Sequence, residues 1–595
     1  MNYSRRNFLK AAGISAAAVL SGCAGRLTGP AAQKSRPNIL MILTDDQGWG
    51  DLSVNGNVNL KTPNIDSLAG EGVVVENFYV CPVCSPTRAE MLTGRYYTRV
   101  GVTGTSEGGE RINADESTIG DTFKAAGYAT AAFGKWHSGT QWPYHPNARG
   151  FDEFYGFCSG HWGYYFSPQL EHNGRLVKGN GYIADDFTDH ALDFIEKNKN
   201  TPFFCYVPYN IPHSPMQVPE SYWEKFDGKE LEMRHRDPEK ENIEHTRAAL
   251  AMCENIDWNV GRLLEKLDKL GIADNTIVIY FSDNGPNGWR WNAGMKGRKG
   301  TTDEGGVRSP FFIRWPAEIR QGTEIPHIAA AIDLLPTLAE LAEIPIVGNK
   351  KLDGVSLKPL LLGTSSNWQD RMYFSTWNGR VSVRTQKYRL DHEGRLFDMD
   401  ADPGQRKDVS QKHPEITARL KKAVREWKDE TFKPVEPRPF TVGHPGAEIT
   451  LLPARDGKAN GNIERSSIHP NCSFFTNWID ENDSITWDIE VLTAGLYEAQ
   501  IHYTCKRENV GAELELSFDG ERVSRAVKNA YESELKGKEE NHVYMRESFV
   551  KDFKPMSLGT LRMHGKRGTL RLRAANIPGN EAVDLRYLTL KYKGK

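Results

Sequence analysis

Asn38-Ile39-Leu40-Met41-Ile42-Leu43 is an unbroken apolar run that stops at Thr44-Asp45-Asp46-Gln47-Gly48. A run of this length without alternation predicts a strand covered on both faces. The same grammar recurs three times: Tyr128 to Phe133 before Gly134-Lys135-Trp136-His137, Phe203 to Val207 before Pro208, Asn210 and Pro212-His213-Ser214-Pro215, and Thr276 to Phe281 before Ser282-Asp283-Asn284-Gly285. Between these runs lie helical spacings such as Ile119, Phe123 and Ala126, stopped by Gly127. Alternating strands and helices predict an α/β doubly wound sheet flanked by helices, whose ligands collect beyond the carboxyl ends of the strands.

Further along, Ile332, Leu335, Leu338 and Leu341 predict a helix, and Tyr388 to Leu390 with Leu396 to Asp400 a small antiparallel sheet. A helix that buries Ile416, Leu420, Val424 and Trp427 follows. After the proline-rich linker 434–439 the pattern turns to strands alone. Ala512 to Phe518 alternates and ends in Asp519-Gly520, and Leu570 to Arg573 and Leu585 to Leu590 alternate too. Residues 440–595 therefore predict an all-β sandwich or jelly roll.

The first residues read as an address. Ser4-Arg5-Arg6-Asn7-Phe8-Leu9-Lys10 precedes a small apolar run, Ala11 to Leu20, about half the length a bilayer requires. The paired arginines mark the twin-arginine export route. Leu20-Ser21-Gly22-Cys23 resembles a lipoprotein cleavage box, in which the cysteine becomes the acylated amino terminus. The expectation is a signal peptide over 1–22, a tether over 23–35, and export to the periplasm or cell surface with Cys23 as a lipid anchor, the only membrane contact. The 75 basic and 77 acidic residues nearly cancel, which excludes a nucleic-acid binder and requires any anion site to be locally charged. Eight scattered cysteines form no disulfide framework.

If the four strand ends converge, they gather Asp45, Asp46, Asp283 and Asn284, an all-oxygen donor set that selects Ca2+ or Mg2+ over zinc or copper. Lys135, His137 and His213 stand beside them as donors for an anion. Cys84 precedes Pro86 at a predicted helix start, where it reads either as an activated nucleophile or as a buried structural thiol. The aromatic stretch Cys158 to Phe166 and the triplet Trp289-Arg290-Trp291 fall in loops expected to line a pocket, where rings stack on sugars.

Cys84-Ser85-Pro86-Thr87-Arg88, followed by Leu92-Thr93-Gly94-Arg95, resembles the signature of the type I sulfatases of the alkaline-phosphatase-like superfamily. The blocks around Asp45, Lys135, His213 and Asp283, and Gly297 to Arg308, resemble that family in the same order, over residues 36 to 430. The resemblance implies a mixed sheet, a catalytic domain over 36–345 and a smaller α+β subdomain over 346–433, entered through Asp353 to Leu357. It implies that a formylglycine-generating enzyme or maturase converts Cys84 to formylglycine. Asp45, Asp46, Asp283, Asn284 and the modified Cys84 would then bind Ca2+ in preference to Mg2+. In these roles Arg88 orients the formylglycine, His137 bonds its hydroxyl, Lys135 and Lys299 hold the sulfuryl oxygens, and His213 protonates the leaving alcohol.

The expected substrate is a sulfated polysaccharide or oligosaccharide of algal type, such as carrageenan, fucoidan or ulvan. Trp487, Ile489 and Gly495-Leu496-Tyr497 are similar to the pattern of carbohydrate-binding modules. Two alternatives are a phosphonate or phosphate monoester hydrolase of the same superfamily and a non-catalytic surface glycan-binding protein. The second should lack one of Cys84, Asp45, Lys135 or His213, and all four are present.

Overall fold

The ten strands of the large sheet are β1 (Asn38–Thr44), β2 (Val73–Tyr79), β3 (Ala129–Lys135), β4 (Glu153–Phe157), β5 (Gln169–His172), β6 (Arg175–Lys178), β7 (Phe203–Pro208), β8 (Thr276–Ser282), β9 (Phe311–Arg314) and β10 (Thr323–Ala330). They are ordered β10-β2-β9-β8-β1-β7-β3-β4-β5-β6. The computed structural model describes residues 36–365, 368–544 and 549–595, so the expected signal peptide, the tether and Cys23 lie outside the described residues.

The four strands that end in polar loops, β8, β1, β7 and β3, are consecutive neighbours and mutually parallel. β9 runs antiparallel to β8 and β2, and β5 antiparallel to β4 and β6, so the sheet is mixed. Every residue of β1, β7 and β8 is buried. The reason is visible in β1: Ile39, Met41 and Leu43 enter a core with Met91, Leu92 and Leu338, whereas Leu40 and Ile42 enter another with Phe187, Leu250 and Val260. Helices cover both faces, which is why these strands read as continuous apolar runs.

A four-stranded antiparallel sheet follows, over residues 373–398, with the helix Pro414–Thr431 packed on it. Trp427 of that helix stacks on Phe374 at 4.9 Å. From residue 440 two further sheets enclose a core of their own, in which Trp487 and Tyr497 are buried. These two residues are packing groups of that core.

The β domain is docked on the rest of the chain: Asn38–Lys595 form one compact unit. The linker is tied down where Arg111 Nη1 donates to the Pro439 carbonyl at 2.9 Å and Arg438 Nη2 to that of Gly101 at 2.7 Å. Two arms reach back from the sandwich. One carries Arg455 and Asn471 to the loop after β4. The other lays Asn541-His542 along Met216, with His542 N donating to the Met216 carbonyl at 3.1 Å and its ring stacked on Trp223 at 3.8 Å.

Candidate active site

The register of β1 on β8 pairs Thr44 with Ser282, so Asp45-Asp46 and Asp283-Asn284 leave the sheet side by side. Asp283 N donates to the Thr44 carbonyl at 3.0 Å, and Asp46 N to Asp283 Oδ1 at 3.3 Å. Two of the predicted residues hold left-handed backbone, Asp46 at φ 67° and His137 at φ 57°. Non-glycine residues in that region are costly and concentrate at working sites. Gly134, at φ 139°, lets β3 close on β7 just before Lys135, since a Cβ there would stand 2.1 Å from the Pro208 carbonyl oxygen.

Cys84 is the first residue of the helix Cys84–Thr93, buried, with its Sγ and one carboxylate oxygen each of Asp45 and Asp283 all within 4.8 Å of one another. Thr87 and Arg88 fix that helix to the strand ends. Thr87 Oγ1 donates to the Asp283 carbonyl at 2.6 Å. Arg88 donates through Nη2 and Nε to Asp283 Oδ2, at 2.8 and 3.2 Å, and through Nη1 to the Lys135 carbonyl at 2.6 Å.

Two ammonium groups face the aspartates. Lys135 Nζ lies 2.5 Å from Asp45 Oδ2, and Lys299 Nζ 2.6 Å from Asp46 Oδ1. Burial opposes charge on Asp45, yet Lys135, His213, Arg88 and Lys299 together hold its carboxyl below the usual range. Asp46 is likewise held down against its burial, chiefly by Lys299 and His213. Asp283 moves the other way: burial and the neighbouring Asp45 push it well up, against Arg88. Asp45 Oδ1, Asp46 Oδ2 and Asn284 Oδ1 are buried without a hydrogen-bond partner among the described residues. Buried acceptors are expensive to leave unmade. Three orphaned hard oxygens, beside the Asp283 carboxylate, are the donor chemistry of a Ca2+ or Mg2+ site, so the residues fit such an ion.

The histidines divide by what fixes their rings. His137 Nε2 lies 2.8 Å from the Thr105 carbonyl, which can only accept, so Nε2 carries the proton and the buried, unpartnered Nδ1 is a lone-pair acceptor. Burial and Lys135 push His137 well below its ordinary range, which keeps it neutral. His213 Nδ1 donates to the Ser214 carbonyl at 2.7 Å, and its Nε2 faces Asp46 Oδ2 at 3.6 Å. Burial and Lys299 lower it, with Asp46 and Asp45 opposing.

All ten predicted residues of the described chain thus converge. The aromatic loops behave differently from the expectation that they line one pocket. Tyr165 is buried and its hydroxyl donates to the His213 and Ser214 carbonyls at 3.0 and 2.9 Å, bracing the histidine loop. Arg290 is buried as well, paired with Asp51 at 2.6 Å and donating to the Asp46 carbonyl at 2.8 Å, so it clamps the strained aspartate turn. Asp51→Asn leaves that guanidinium buried without its counter-charge; a stability loss of about 3–5 kcal/mol is expected in denaturant unfolding.

The sequence pattern assigns no role to Asp51, Thr105, Glu110, Arg455 or Asn471, and places His161 only within the aromatic stretch. His161 Nδ1 lies 3.4 Å from His213 Nδ1. Arg455 Nη2 donates to Glu110 Oε1 at 2.7 Å and to Thr140 Oγ1 at 2.8 Å, and its Nη1 reaches Asn471 Oδ1 at 3.2 Å. Asn471 Oδ1 also accepts from Gly160 N at 3.4 Å. A Cβ on Gly160 would meet His137 Nε2 at 2.3 Å and Asn471 Nδ2 at 3.0 Å, so this glycine lets the sandwich loop and the His137 ring close on each other.

A metal-type oxygen set, a cysteine at a helix start and paired lysines, on a mixed sheet with helices on both faces, define a hydrolase of anionic esters. Residues 37–344 match the Sulfatase family and residues 299–430 the family N-sulphoglucosamine sulphohydrolase, C-terminal; the chain belongs to the sulfatase family and is an enzyme of that class. It is 32% identical over 390 residues to the N-acetylgalactosamine-6-sulfatase of Mus musculus, covering 59% of this chain and 71% of that one. It is 30% identical over 441 residues to the uncharacterized sulfatase YdeN of Escherichia coli K12, covering 62% and 76%. Among solved structures, Ps i-CgsB in complex with k-i-k-neocarrahexaose is similar at 30% identity and a TM-score of 0.60, over 67% of this chain and 94% of that one.

Proposed function

We propose that the chain is an exported hydrolase of sulfate esters on polysaccharide or oligosaccharide chains of sulfated sugars, working through a formylglycine made from Cys84 and a bound Ca2+. The observation that carries this reading is the position of Cys84 Sγ among the Asp45 and Asp283 oxygens, with Lys135 and Lys299 alongside. The relatives' names support a sugar ester: one is an N-acetylgalactosamine-6-sulfatase, and Ps i-CgsB was solved with a neocarrahexaose. The twin-arginine leader supports export, with Cys23 as lipid anchor.

Asp45, Asp46, Asp283 and Asn284 would hold the ion, whose positive charge would polarise the ester. A formylglycine hydrate offers two hydroxyls on one carbon, one to attack sulfur and one to expel sulfate as the carbonyl re-forms. The protein's own groups do the rest. Arg88 ties the nucleophile's helix to Asp283 and the β3 end. Lys135 and Lys299 place charge where the sulfuryl oxygens become more negative. His137, neutral with Nδ1 as acceptor, takes the hydroxyl proton. His213 has Nδ1 committed to Ser214, so it delivers a proton to the leaving alcohol from Nε2 once the bound anion has favoured its charged form.

The test is sulfate release from carrageenan, fucoidan and chondroitin 6-sulfate oligosaccharides, with phosphate and phosphonate esters assayed in parallel. Release from at least one glycan, lost on chelation and restored by Ca2+ better than by Mg2+, is expected. Faster cleavage of phosphate or phosphonate esters would overturn the reading.

A further inference from the structure

The seam between the catalytic sheet and the sandwich holds a cavity of about 340 Å³, large enough for a sugar unit. The catalytic side contributes Trp162, Tyr164 and Lys178; the sandwich contributes Phe553, Arg586 and Tyr587. Its charge is one-sided. Lys536 is neutralised by Asp552 at 2.5 Å and Lys551 by Asp584, but neither Lys178 nor Arg586 has a carboxylate partner among the described residues. Arg586 is the telling case. Only 6% exposed, it donates to the Ser473 carbonyl at 2.5 Å and lies over the rings of Trp162 and Tyr587, at 5.6 and 5.1 Å from their centroids. A buried guanidinium with ring faces and one carbonyl for company lacks the anion that normally offsets its desolvation.

The position of the cavity matters as much as its charge. Trp162 directly follows His161, whose ring contacts His213. In the reading above His213 protonates the leaving oxygen, so the remainder of the sugar chain lies on its side. The loop that meets the acid through His161 therefore continues, one residue on, into the lining of an aromatic, cationic cavity. Ring faces suit the apolar faces of pyranoses, and the unmatched cations suit a sulfate on a neighbouring sugar.

The geometry points to a second saccharide subsite at this seam, holding a further sulfated unit of the chain whose ester is cleaved at Cys84. It rests on the sulfated-glycan reading. The decisive variant is Lys178→Glu, since Lys178 is exposed and its change leaves the folded core alone; Arg586→Gln serves as a second variant, accepted if its melting temperature holds. Initial rates are measured on iota-carrageenan and chondroitin 6-sulfate tetrasaccharides and on 4-nitrophenyl sulfate. The expected result is a KM about tenfold higher on the tetrasaccharide that the unmodified enzyme cleaves, with kcat and the nitrophenyl sulfate kinetics unchanged. Tetrasaccharide cleavage with KM unaffected in both variants, or an equal loss on nitrophenyl sulfate, overturns the subsite and leaves the sulfated-glycan reading standing. Cleavage of nitrophenyl sulfate with none of either tetrasaccharide or of any other sulfated glycan removes that reading, and the subsite with it.

Discussion

Cys84→Ala is expected to lower sulfate release by at least about a thousandfold, because in the proposed mechanism this position supplies the nucleophile. The folded state should survive the change. Among the described residues no side-chain hydrogen bond of Cys84 holds the helix, and Thr87 and Arg88 continue to pin it to Asp283. Cys84→Ser separates two chemistries. A serine hydroxyl could accept the sulfuryl group once but has no second hydroxyl with which to expel it, so the expected product is a stable sulfate ester on the protein, seen by peptide mass. Sustained turnover by either variant, or an intact thiol at this position in fully active protein, would falsify the formylglycine mechanism.

Arg455→Met should be nearly as damaging although residue 455 lies in the β sandwich. Arg455 holds Glu110 below the usual carboxylate range against its burial, while Asp456, buried beside Glu110, is pushed up. Removing the guanidinium strands Glu110 in the interior and frees the Asn471 loop that closes on Gly160 and His137. A loss of about 3–5 kcal/mol is expected, together with a fall in kcat on every sulfate ester, small or large. Arg455→Met combined with Glu110→Gln and Asp456→Asn removes all three charges of the cluster and should recover most of the stability. If the single variant unfolds and turns over as the parent does, the sandwich is a passenger on the catalytic unit.

The two cases mark how far the chain could be read in advance. Asp45, Lys135, His213 and Asp283 were legible because each follows an apolar run with no alternation, a signal set by burial on both faces of a strand. That β8, β1, β7 and β3 are neighbours was not, since sheet order carries no local trace. Arg290 and Asp51 meet across 239 positions, and neither sits in a periodic stretch. Arg455, in Pro453-Ala454-Arg455-Asp456, reads like any solvated turn, and only the docking of the sandwich turns it into a buried partner for Glu110. Trp487 and Tyr497, in the pattern similar to carbohydrate-binding modules, are core residues, because alternate positions of those strands face the opposing sheet.

The burial of Cys84 also sets a deadline. In the proposed mechanism an enzyme must oxidise this side chain, yet in the finished protein it is buried at the start of a helix locked to the Asp283 carbonyl. Asp283 is translated about 200 residues after Cys84, so at 5–20 residues per second the segment stays reachable for roughly 10 to 40 s. On that mechanism modification is a race against the ribosome, and a chain that loses it keeps a buried thiol at the centre of a complete site.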